Sequence, residues 1–341
     1  MFMDRLLQQK LNDLKDKNLL RAPKGEWDKG FINFTTNDYL SLAKHPQVIK
    51  AGIKAAEKYG AGAGASRMAG GNYPLFAEFE SKIAKHKGYP AACVFGSGYL
   101  ANLGVITALV GEGDVVLADK LVHACIIDAV KLSGARLVRF KHNDVADCKR
   151  RITAETKLIV TEEIFSMDGD AAPIDELKKL GITLLVDGAH SLYDKKCKAD
   201  IYVGTMSKAL GSYGGYVCGS KVFIEYLYNK ARPLIYSTGL PPFALGAAIK
   251  ALDIVEKDKP YKKTLANAKY LKAKSAIVPI IVGEEKKALA AEQKLRKHKI
   301  LVSAIRPPTV PQGTSRLRIS VTATHTKSEI DLLAETLKKI L

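Results

Sequence analysis

Short apolar runs alternate with amphipathic helical stretches through most of the chain. The runs have the length of strands and are bounded by glycine, proline or charged residues, which predicts buried strands. These strands are predicted near residues 31–34, 91–95, 114–118, 136–140, 157–162, 182–186 and 200–203. The predicted helices span about 3–18, 46–58 and 74–87, and two more begin at Tyr99 and Ala124. Such alternation predicts an α/β fold with a mainly parallel central sheet.

The rhythm changes near residue 257. From there the pattern predicts a helix, a strand at 276–282, a helix, strands at 300–305 and 316–321, and a last helix. Two strands in succession without a helix between them are typical of an α+β domain. We therefore predict an N-terminal segment at 1–43, a large domain at 44–256 and a smaller C-terminal α+β domain at 257–341.

Lys208 is the first candidate for chemistry. It follows the apolar strand predicted at 200–203 and lies beside Thr205 and Ser207, with a run of small residues continuing to Gly215. A lysine is costly to bury unless its charge is lost or paired, so one in an apolar, glycine-rich turn suits formation of an imine. In a chain with 53 Lys and Arg, the simpler interpretation is a solvated turn residue.

Asp187 and His190 favour the chemical interpretation. Asp187 ends the apolar strand predicted at 182–186, and His190 follows three residues later. A carboxylate at the carboxyl end of such a strand faces the crevice where α/β sheets bind ligands. It can pair with a pyridinium nitrogen, and the histidine can reach the oxygen of the same ring. The alternative for Asp187 is a helix cap, but the strand, Asp187, His190 and Lys208 together indicate a pyridoxal phosphate site.

A phosphate site is predicted where the strand at 91–95 turns into a helix. Gly98 and Tyr99 open that helix, where free backbone N–H groups and the helix dipole favour an anion. The turn is neither a Walker nor a dinucleotide motif, so alone it is weak evidence for a phosphate site. The hydroxyls of Thr205 and Ser207, which could bind the same phosphate, strengthen the prediction. His123, at the start of the next helix, is interpreted either as a ring that stacks on a cofactor or as a structural cap.

Composition limits the remaining possibilities. The chain has 341 residues with 47% apolar content, enough for a large core. No apolar run approaches bilayer length and the start has no signal-peptide block, so we expect a cytoplasmic protein. The five cysteines form no CxxC pair, which disfavours a zinc site. The net charge of +18 would attract an anionic substrate or an acidic carrier protein. The sequence shows no arginine–aromatic pattern of the kind that forms a nucleic-acid groove.

Several motifs resemble those of one enzyme family. From about Leu20 to the end, the chain is similar to the α-oxoamine synthases, pyridoxal phosphate enzymes of the aspartate aminotransferase fold type. The motifs are NDYL at 37–40, SGYLAN at 97–102, HNDV at 142–145, FSMDGD at 165–170, YSTGLPP at 236–242 and AIRPPTVP at 304–311. The last motif, continued to Arg318, resembles the branch of the family that acts in biotin biosynthesis.

The resemblance implies a role for each matching residue. Lys208 would hold the cofactor as an imine, Asp187 would pair with the pyridinium, His190 would contact the ring oxygen and His123 would stack on the ring. The other cofactor contacts implied are Gly98, Tyr99, Thr205, Ser166 and, from a neighbouring subunit, Thr238. Arg318 would bind the amino acid carboxylate through its planar fork, while Arg21 and Thr309 would meet the acyl substrate.

The implied activity is the decarboxylative condensation of L-alanine with a pimeloyl thioester by a homodimer. The acyl group would arrive on coenzyme A or on an acidic acyl carrier protein. Three alternatives stay open: a sister synthase using glycine or serine, a relative that performs transamination or lyase chemistry, and a cofactor-free basic binding module. Two departures from the family bear on the acyl substrate, namely Phe76 in place of a usual histidine and a short segment at 191–197.

Overall fold

The computed structural model describes residues 2–23, 30–194 and 196–341. They contain the helices α1 Phe2–Asp16, α2 Pro46–Tyr59, α3 Pro74–Lys87, α4 Gly98–Leu109, α5 Ala124–Ser133, α6 Val145–Arg150, α7 Ile174–Lys178, α8 Lys221–Lys230, α9 Arg232–Ile235, α10 Pro242–Asp258, α11 Tyr261–Tyr270, α12 Glu285–Lys297 and α13 Lys327–Ile340. The strands are β1 Ile32–Asn33, β2 Ala91–Phe95, β3 Val115–Asp119, β4 Arg136–Phe140, β5 Thr156–Glu162, β6 Thr183–Asp187, β7 Ile201–Thr205, β8 Gly215–Gly219, β9 Ile277–Gly283, β10 Ile300–Leu301, β11 Ser303–Ile305 and β12 Ser315–Ser320.

The chain divides into two compact units. One comprises Asn37–Ser166 and Asp170–Thr264, and the other comprises Met1–Thr36, Met167–Gly169 and Leu265–Leu341. The N-terminal and C-terminal parts of the chain thus belong to the same unit. The domain boundaries predicted after residues 43 and 256 remain a prediction.

The larger unit is built on a seven-stranded sheet with the order β2-β8-β7-β6-β5-β3-β4. Only β8 runs against its two neighbours, β2 and β7; the other adjacent pairs are parallel. The predicted α/β fold with a mainly parallel sheet is confirmed. Its central strands are nearly continuous apolar runs because both faces of the sheet are covered.

The core of this unit lies between the sheet and the helices α4 and α5. Val105, Ile126, Val116 and Val160 are fully buried in one apolar cluster there. The ends of α3 follow from local sequence: the helix begins with Pro74, and Gly88, whose φ of 79° is left-handed, directly follows its last residue. Proline in the first turn and glycine after the last are the expected start and stop signals.

The carboxyl ends of four parallel strands bring functional side chains together. Asp119 ends β3, Glu162 ends β5, Asp187 ends β6 and Thr205 ends β7. Glu162 and Asp187 are direct partners across the β5–β6 pair. Ligands of open α/β sheets bind at this edge, so the fold places its candidate site there.

The reversed strand β8 was not among the predicted elements. Its sequence, GYVCG, has glycine at both ends and no alternating pattern, so local propensity does not distinguish it from a loop. Gly215 is required there because a Cβ atom would lie 2.4 Å from the backbone carbon of Ser97. The helices α6 to α10 were also not placed by the pattern.

The smaller unit contains the antiparallel sheet β11-β12-β9 and the parallel pair β1-β10. The single strand predicted at 300–305 is wrong, since it is two strands with different partners. Ile300 pairs with Ile32, whereas Ser303 pairs with Arg318. The strand changes partner at Val302, which an apolar run in the sequence cannot reveal. Within the described residues no helix combines the length and apolar character that crossing a bilayer demands.

Candidate active site

Lys208 and His190 meet at the carboxyl edge of the sheet. The Lys208 amine nitrogen Nζ lies 2.9 Å from His190 Nε2. Nδ1 of the same imidazole lies 2.7 Å from the Tyr39 hydroxyl, which in turn donates to the side-chain oxygen of Asn37 at 3.0 Å. With the hydroxyl proton donated to Asn37, we assign the histidine proton to Nδ1. Nε2 is therefore the acceptor that faces Lys208.

Asp187 is held by two donors. Its Oδ2 atom accepts from Asn102 Nδ2 at 2.6 Å, and Oδ1 accepts from the backbone N–H of Ala189 at 2.8 Å. The carboxylate is 5% exposed and Asn102 is 1% exposed. Both carboxylate oxygens are thus oriented by hydrogen bonds within the sheet edge. Asn102 was missed as a site residue, although its place one helical turn after Gly98 was the available signal.

His123 connects these groups electrostatically. Burial by the surrounding protein lowers the pKa of its imidazole, the Asp187 charge opposes that change, and the Lys208 charge adds to it. The ring therefore feels both groups and stays neutral at pH 7. His123 Nδ1 also accepts from the backbone N–H of Cys125 at 3.2 Å as the N-cap of α5. The cap is observed directly, and ring stacking remains a prediction.

Glu162 is a buried carboxyl that the sequence interpretation missed. Its Oε1 atom accepts the backbone N–H of His123 at 2.6 Å, and the backbone of Ser166 also hydrogen-bonds to it. Burial raises the pKa of Glu162 well above its usual range, and the Asp187 charge raises it further. The available signal was an acidic residue that ends a strand, as Asp187 does.

The predicted phosphate turn lies beside Thr205. Ser97 caps α4 by accepting the backbone N–H of Leu100 at 3.1 Å, which leaves the first-turn N–H groups of Gly98 and Tyr99 without a helical partner. An added Cβ at Gly98 would lie 3.5 Å from Thr205 Cβ. The Thr205 hydroxyl donates to Gly214 O at 2.8 Å and lies 2.7 Å from the exposed Ser207 hydroxyl. The hydroxyls of Thr205 and Ser207 and the first backbone N–H groups of α4 thus lie close together, as a phosphate site requires.

Ser166 and Thr238 lie at two other positions of the larger unit. Ser166 is 8% exposed and follows Phe165, whose backbone N–H donates to Asp170 O. Thr238 is exposed and forms an isolated β-bridge with Ser66. Their proposed cofactor contacts remain predictions, the second because it involves a neighbouring subunit.

The predicted substrate residues lie in the smaller unit. Arg21 donates to the Thr309 hydroxyl at 3.0 Å, so these two side chains are brought together. Arg318 is buried in β12 and donates to the Ser320 hydroxyl at 2.9 Å. The structure gives their surroundings within that unit, and their substrate roles remain predictions.

His142 forms a clamp between two carboxylates, which we call the His142 clamp. Its Nδ1 lies 2.9 Å from Asp119 at the end of β3, and its Nε2 lies 2.8 Å from Asp170. Burial lowers the pKa of this imidazole, but the hydrogen bonds and charges of Asp119 and Asp170 raise it more, to about 10. The ring also stands edge-on to Phe165, with centroids 4.4 Å apart. The clamp fixes the segment that carries Ser166.

The departure at Phe76 has a local explanation. Phe76 is 1% exposed, and the Arg67 guanidinium carbon lies 4.2 Å from the centroid of its ring. Arg67 also forms an ion pair with Glu80 at 2.6 Å. In this chain Phe76 is a core residue that stacks on a buried ion pair.

The groups at this edge of the sheet fit pyridoxal phosphate. The helix N-terminus and the hydroxyls suit its phosphate, the oriented Asp187 carboxylate suits its ring nitrogen, and the Lys208 amine suits its aldehyde. The tight approach of Gly215 to Ser97 shapes the cradle at the phosphate end. The residues present thus meet the chemical needs of both ends of the cofactor.

Known proteins resemble this chain over nearly its whole length. The model of the family "Aminotransferase class I and II" matches residues 29–337. Proteins named 8-amino-7-oxononanoate synthase are 47% identical over 339 residues in one strain of Methylorubrum extorquens (93% of this chain, 88% of the relative) and 45% identical over 339 residues in Methylobacterium nodulans (94% and 89%).

Solved structures share the fold. A serine palmitoyltransferase from S. paucimobilis with a bound PLP–myriocin aldimine has a TM-score of 0.89 and 30% identity, covering 98% of this chain and 96% of that one. An 8-amino-7-oxononanoate synthase from Francisella tularensis has a TM-score of 0.79 and 31% identity, covering 92% and 98%.

Proposed function

We infer the function from the premise that this chain belongs to the aminotransferase class I and II family and, within it, to the α-oxoamine synthases. The protein is a pyridoxal phosphate-dependent acyltransferase. It condenses L-alanine with the pimeloyl thioester of a carrier, with loss of carbon dioxide, to give 8-amino-7-oxononanoate for biotin biosynthesis. The choice of product follows the names of relatives that are 45–47% identical to the chain.

The observation that carries the chemistry is the grouping at the sheet edge. The Lys208 amine lies 2.9 Å from His190 Nε2, and both Lys208 and Asp187 act on the His123 imidazole. Asp187 pairs with Val203 of β7, the strand that leads to Lys208, so the carboxylate and the amine lie beyond the ends of adjacent strands. A solvated turn lysine and a helix-capping aspartate do not require this arrangement.

When bound, pyridoxal phosphate supplies an imine carbon joined to an electron-withdrawing pyridine, which makes the α-carbon of an amino acid nucleophilic. Lys208 would hold the cofactor covalently, and its amine, once the amino acid has displaced it, would move the proton of the substrate α-carbon. Asp187, oriented by Asn102, would pair with the ring nitrogen. His190 presents Nε2 toward the amine, and the neutral His123 offers a flat face for stacking.

Substrate contacts form the next part of the proposal. Arg318 binds the carboxylate of L-alanine through a bidentate contact. Arg21 and Thr309, joined at 3.0 Å, bind the acyl chain of the pimeloyl thioester. The carrier is coenzyme A or an acidic acyl carrier protein, and the net charge of +18 supports the latter. A stronger salt dependence with the protein carrier than with coenzyme A is expected.

The protein acts as a homodimer in this proposal. Helix α1 exposes four leucines, Leu6 at 47%, Leu7 at 46%, Leu11 at 46% and Leu14 at 41%. An apolar stripe of this kind is typical of an interface. Thr238, which is exposed, would contact the phosphate of the neighbouring subunit. Sedimentation of the full chain tests the assembly.

Product identification tests the function. The holoenzyme is mixed with alanine, glycine or serine and with pimeloyl, acetyl or palmitoyl thioesters, and the products are identified by mass. We expect 8-amino-7-oxononanoate from alanine and a pimeloyl thioester. A preference for glycine or serine with another thioester would assign a sister synthase instead.

A second measurement tests Lys208. Borohydride reduction followed by peptide mapping should place the cofactor on Lys208, and Lys208→Ala should lose the bound-cofactor absorbance. Lys179→Ala, at an exposed position, is the matched control and should keep it. Mapping of the cofactor to another lysine would contradict the assignment.

A further inference from the structure

Besides Lys208, which is half-buried, the larger unit contains a lysine that is fully buried. Lys87 is the last residue of α3 and is 0% exposed. Lysine is rarely buried to this degree, because its amine must find compensating partners away from water. The site described above does not use this residue, so its partners need a separate explanation.

The partners of Lys87 come from two other segments. Its Nζ donates to the Ser191 hydroxyl at 2.9 Å. The same nitrogen lies 4.7 Å from the ring centroid of Tyr193 and 4.7 Å from that of Tyr202. A cation between two aromatic faces is well stabilised when desolvated. We call Lys87, Ser191, Tyr193 and Tyr202 the Lys87 box.

A buried acid adjoins the box through Tyr202. Tyr202 donates its hydroxyl to Glu163 Oε2 at 2.7 Å, and Glu163 is 2% exposed. Burial raises the pKa of Tyr202 well above its usual range, and the Glu163 charge raises it further, so the phenol keeps its proton. Lys87 and Glu163 thus contact one tyrosine from its face and from its hydroxyl.

Ser191 and Tyr193 of the box, and Glu163 beside it, each adjoin a residue of the cofactor site. Ser191 directly follows His190 in the chain. Tyr193 donates its hydroxyl to Thr205 O at 2.8 Å. The backbone N–H of Glu163 donates to Asp187 O at 2.8 Å. The box therefore connects to the phosphate, ring-oxygen and ring-nitrogen ends of the predicted site.

The segment after His190 depends on these contacts for its shape. Tyr193 has a φ of 63°, a left-handed conformation that is uncommon for a bulky residue and needs support from its surroundings. Its backbone N–H donates to the Ser191 hydroxyl at 3.1 Å, so one serine oxygen contacts both Tyr193 and Lys87. Removing the amine would leave this turn without its central donor.

We propose that Lys87 is a positioning residue for the cofactor: through Ser191 and the two tyrosines it fixes the turn that orients His190 toward Lys208. Stability alone is a poor reason for a lysine here, since a well-packed apolar side chain of similar volume often serves a core as well as a buried charge. A lysine that orients other groups has a role which methionine cannot fill. The inference rests on the proposed function only through its cofactor.

Lys87→Met tests the proposal, with Lys85→Met on the exposed side of the same helix as the matched control. Pyridoxal phosphate binding is titrated by protein fluorescence, and the pH midpoint of the bound-cofactor absorbance is recorded. In metal sites, removal of a residue that orients a ligating group typically lowers affinity by about tenfold or more. We expect Lys87→Met to weaken cofactor binding by about that factor and to move the midpoint, and Lys85→Met to change neither.

Amide hydrogen exchange of the cofactor-free protein gives an independent readout. Residues 188–194 should exchange faster in Lys87→Met than in the wild type, with α3 itself unchanged. If Lys87→Met does not fold, Ser191→Ala replaces it with the same expectations, because it removes the acceptor and leaves the lysine in place. A lower melting temperature with unchanged affinity, midpoint and exchange would overturn the proposal. None of these measurements uses the amino acid or acyl substrate, so an error in the assigned substrates would leave them unaffected.

Discussion

The His142 clamp predicts a specific dependence of stability on pH. His142 lies between Asp119 and Asp170 at 2.9 and 2.8 Å, and its pKa is raised to about 10 by these two carboxylates despite burial. His142→Asn removes the ionisable ring and retains a polar group of similar reach. The variant should therefore lose the part of the stability that depends on imidazole protonation.

The sign and size follow from proton linkage. A group with a higher pKa in the folded state binds its proton more tightly there, so its contribution is complete below pH 6.5, its ordinary value. The contribution falls as the pH rises toward about 10. Each pH unit in that window corresponds to about 1.4 kcal/mol, which gives an upper limit of about 5 kcal/mol. The His142 side chain is 25% exposed and Asp170 is 38% exposed, so solvent screening reduces the expected effect to about 2 kcal/mol.

Urea unfolding of the cofactor-free protein at pH 6.5 and pH 10 measures the difference. The wild type should lose about 2 kcal/mol more of its free energy of unfolding than His142→Asn between these two pH values. His298→Asn, at an exposed histidine, is the control and should follow the wild type. Other groups that titrate near pH 10 are common to all three proteins and cancel. Equal losses in the wild type and His142→Asn would refute the clamp.

Variants at three further residues test the site. Glu162→Ala leaves the His123 backbone N–H unpaired and should lower the free energy of unfolding by about 1–3 kcal/mol. Glu162→Gln keeps an acceptor and should change that free energy by less than about 1 kcal/mol. Equal losses for the two variants in urea unfolding would contradict this expectation. The raised pKa of Glu162 also makes the wild type, but not Glu162→Gln, lose stability as the pH rises above about 4.3. Tyr39→Phe releases His190 Nδ1 and should move the pH midpoint of the bound-cofactor absorbance; an unmoved midpoint would count against the tautomer assigned here. Asn102→Ala removes a hydrogen bond to the Asp187 carboxylate, which is worth about 1.5–3 kcal/mol when the acceptor is charged. Cofactor affinity measured by fluorescence should therefore fall by about tenfold or more. An unchanged affinity would argue against a role of Asn102 in orienting Asp187.

Much of the sheet was predictable because each strand carries its own signal. The apolar runs at 91–95 and 136–140 coincide with β2 and β4, and the other parallel strands lie within a residue or two of their predicted bounds. Strands buried on both faces need such runs whatever their neighbours are. The carboxyl ends that carry Asp187 and Thr205 followed from the same pattern.

The partners of the site residues could not be predicted, because they are distant in sequence. Tyr39 reaches His190 across 151 positions, and Asn102 reaches Asp187 across 85. Local patterns contain no information on which loop meets which strand end, since that depends on strand order. Lys87 is an example, because the sequence of α3 does not distinguish it from Lys85 in the same basic last turn. Its buried partners are known only from the structure.

The pairing of Glu162 with Asp187 explains how one sheet edge accommodates two acids. They are direct cross-strand partners and both are buried, so two charges would repel in a region with little water. Burial raises the pKa of Glu162 well above its usual range and the Asp187 charge raises it further, which favours the protonated form of the Glu162 carboxyl. Since one pyridinium nitrogen needs one counter-charge, a neutral Glu162 can orient His123 and Ser166 without competing with Asp187 for the cofactor. The two acids on adjacent strand ends thus have different partners: Asp187 is oriented by Asn102 and Ala189, whereas Glu162 accepts the backbone N–H groups of His123 and Ser166.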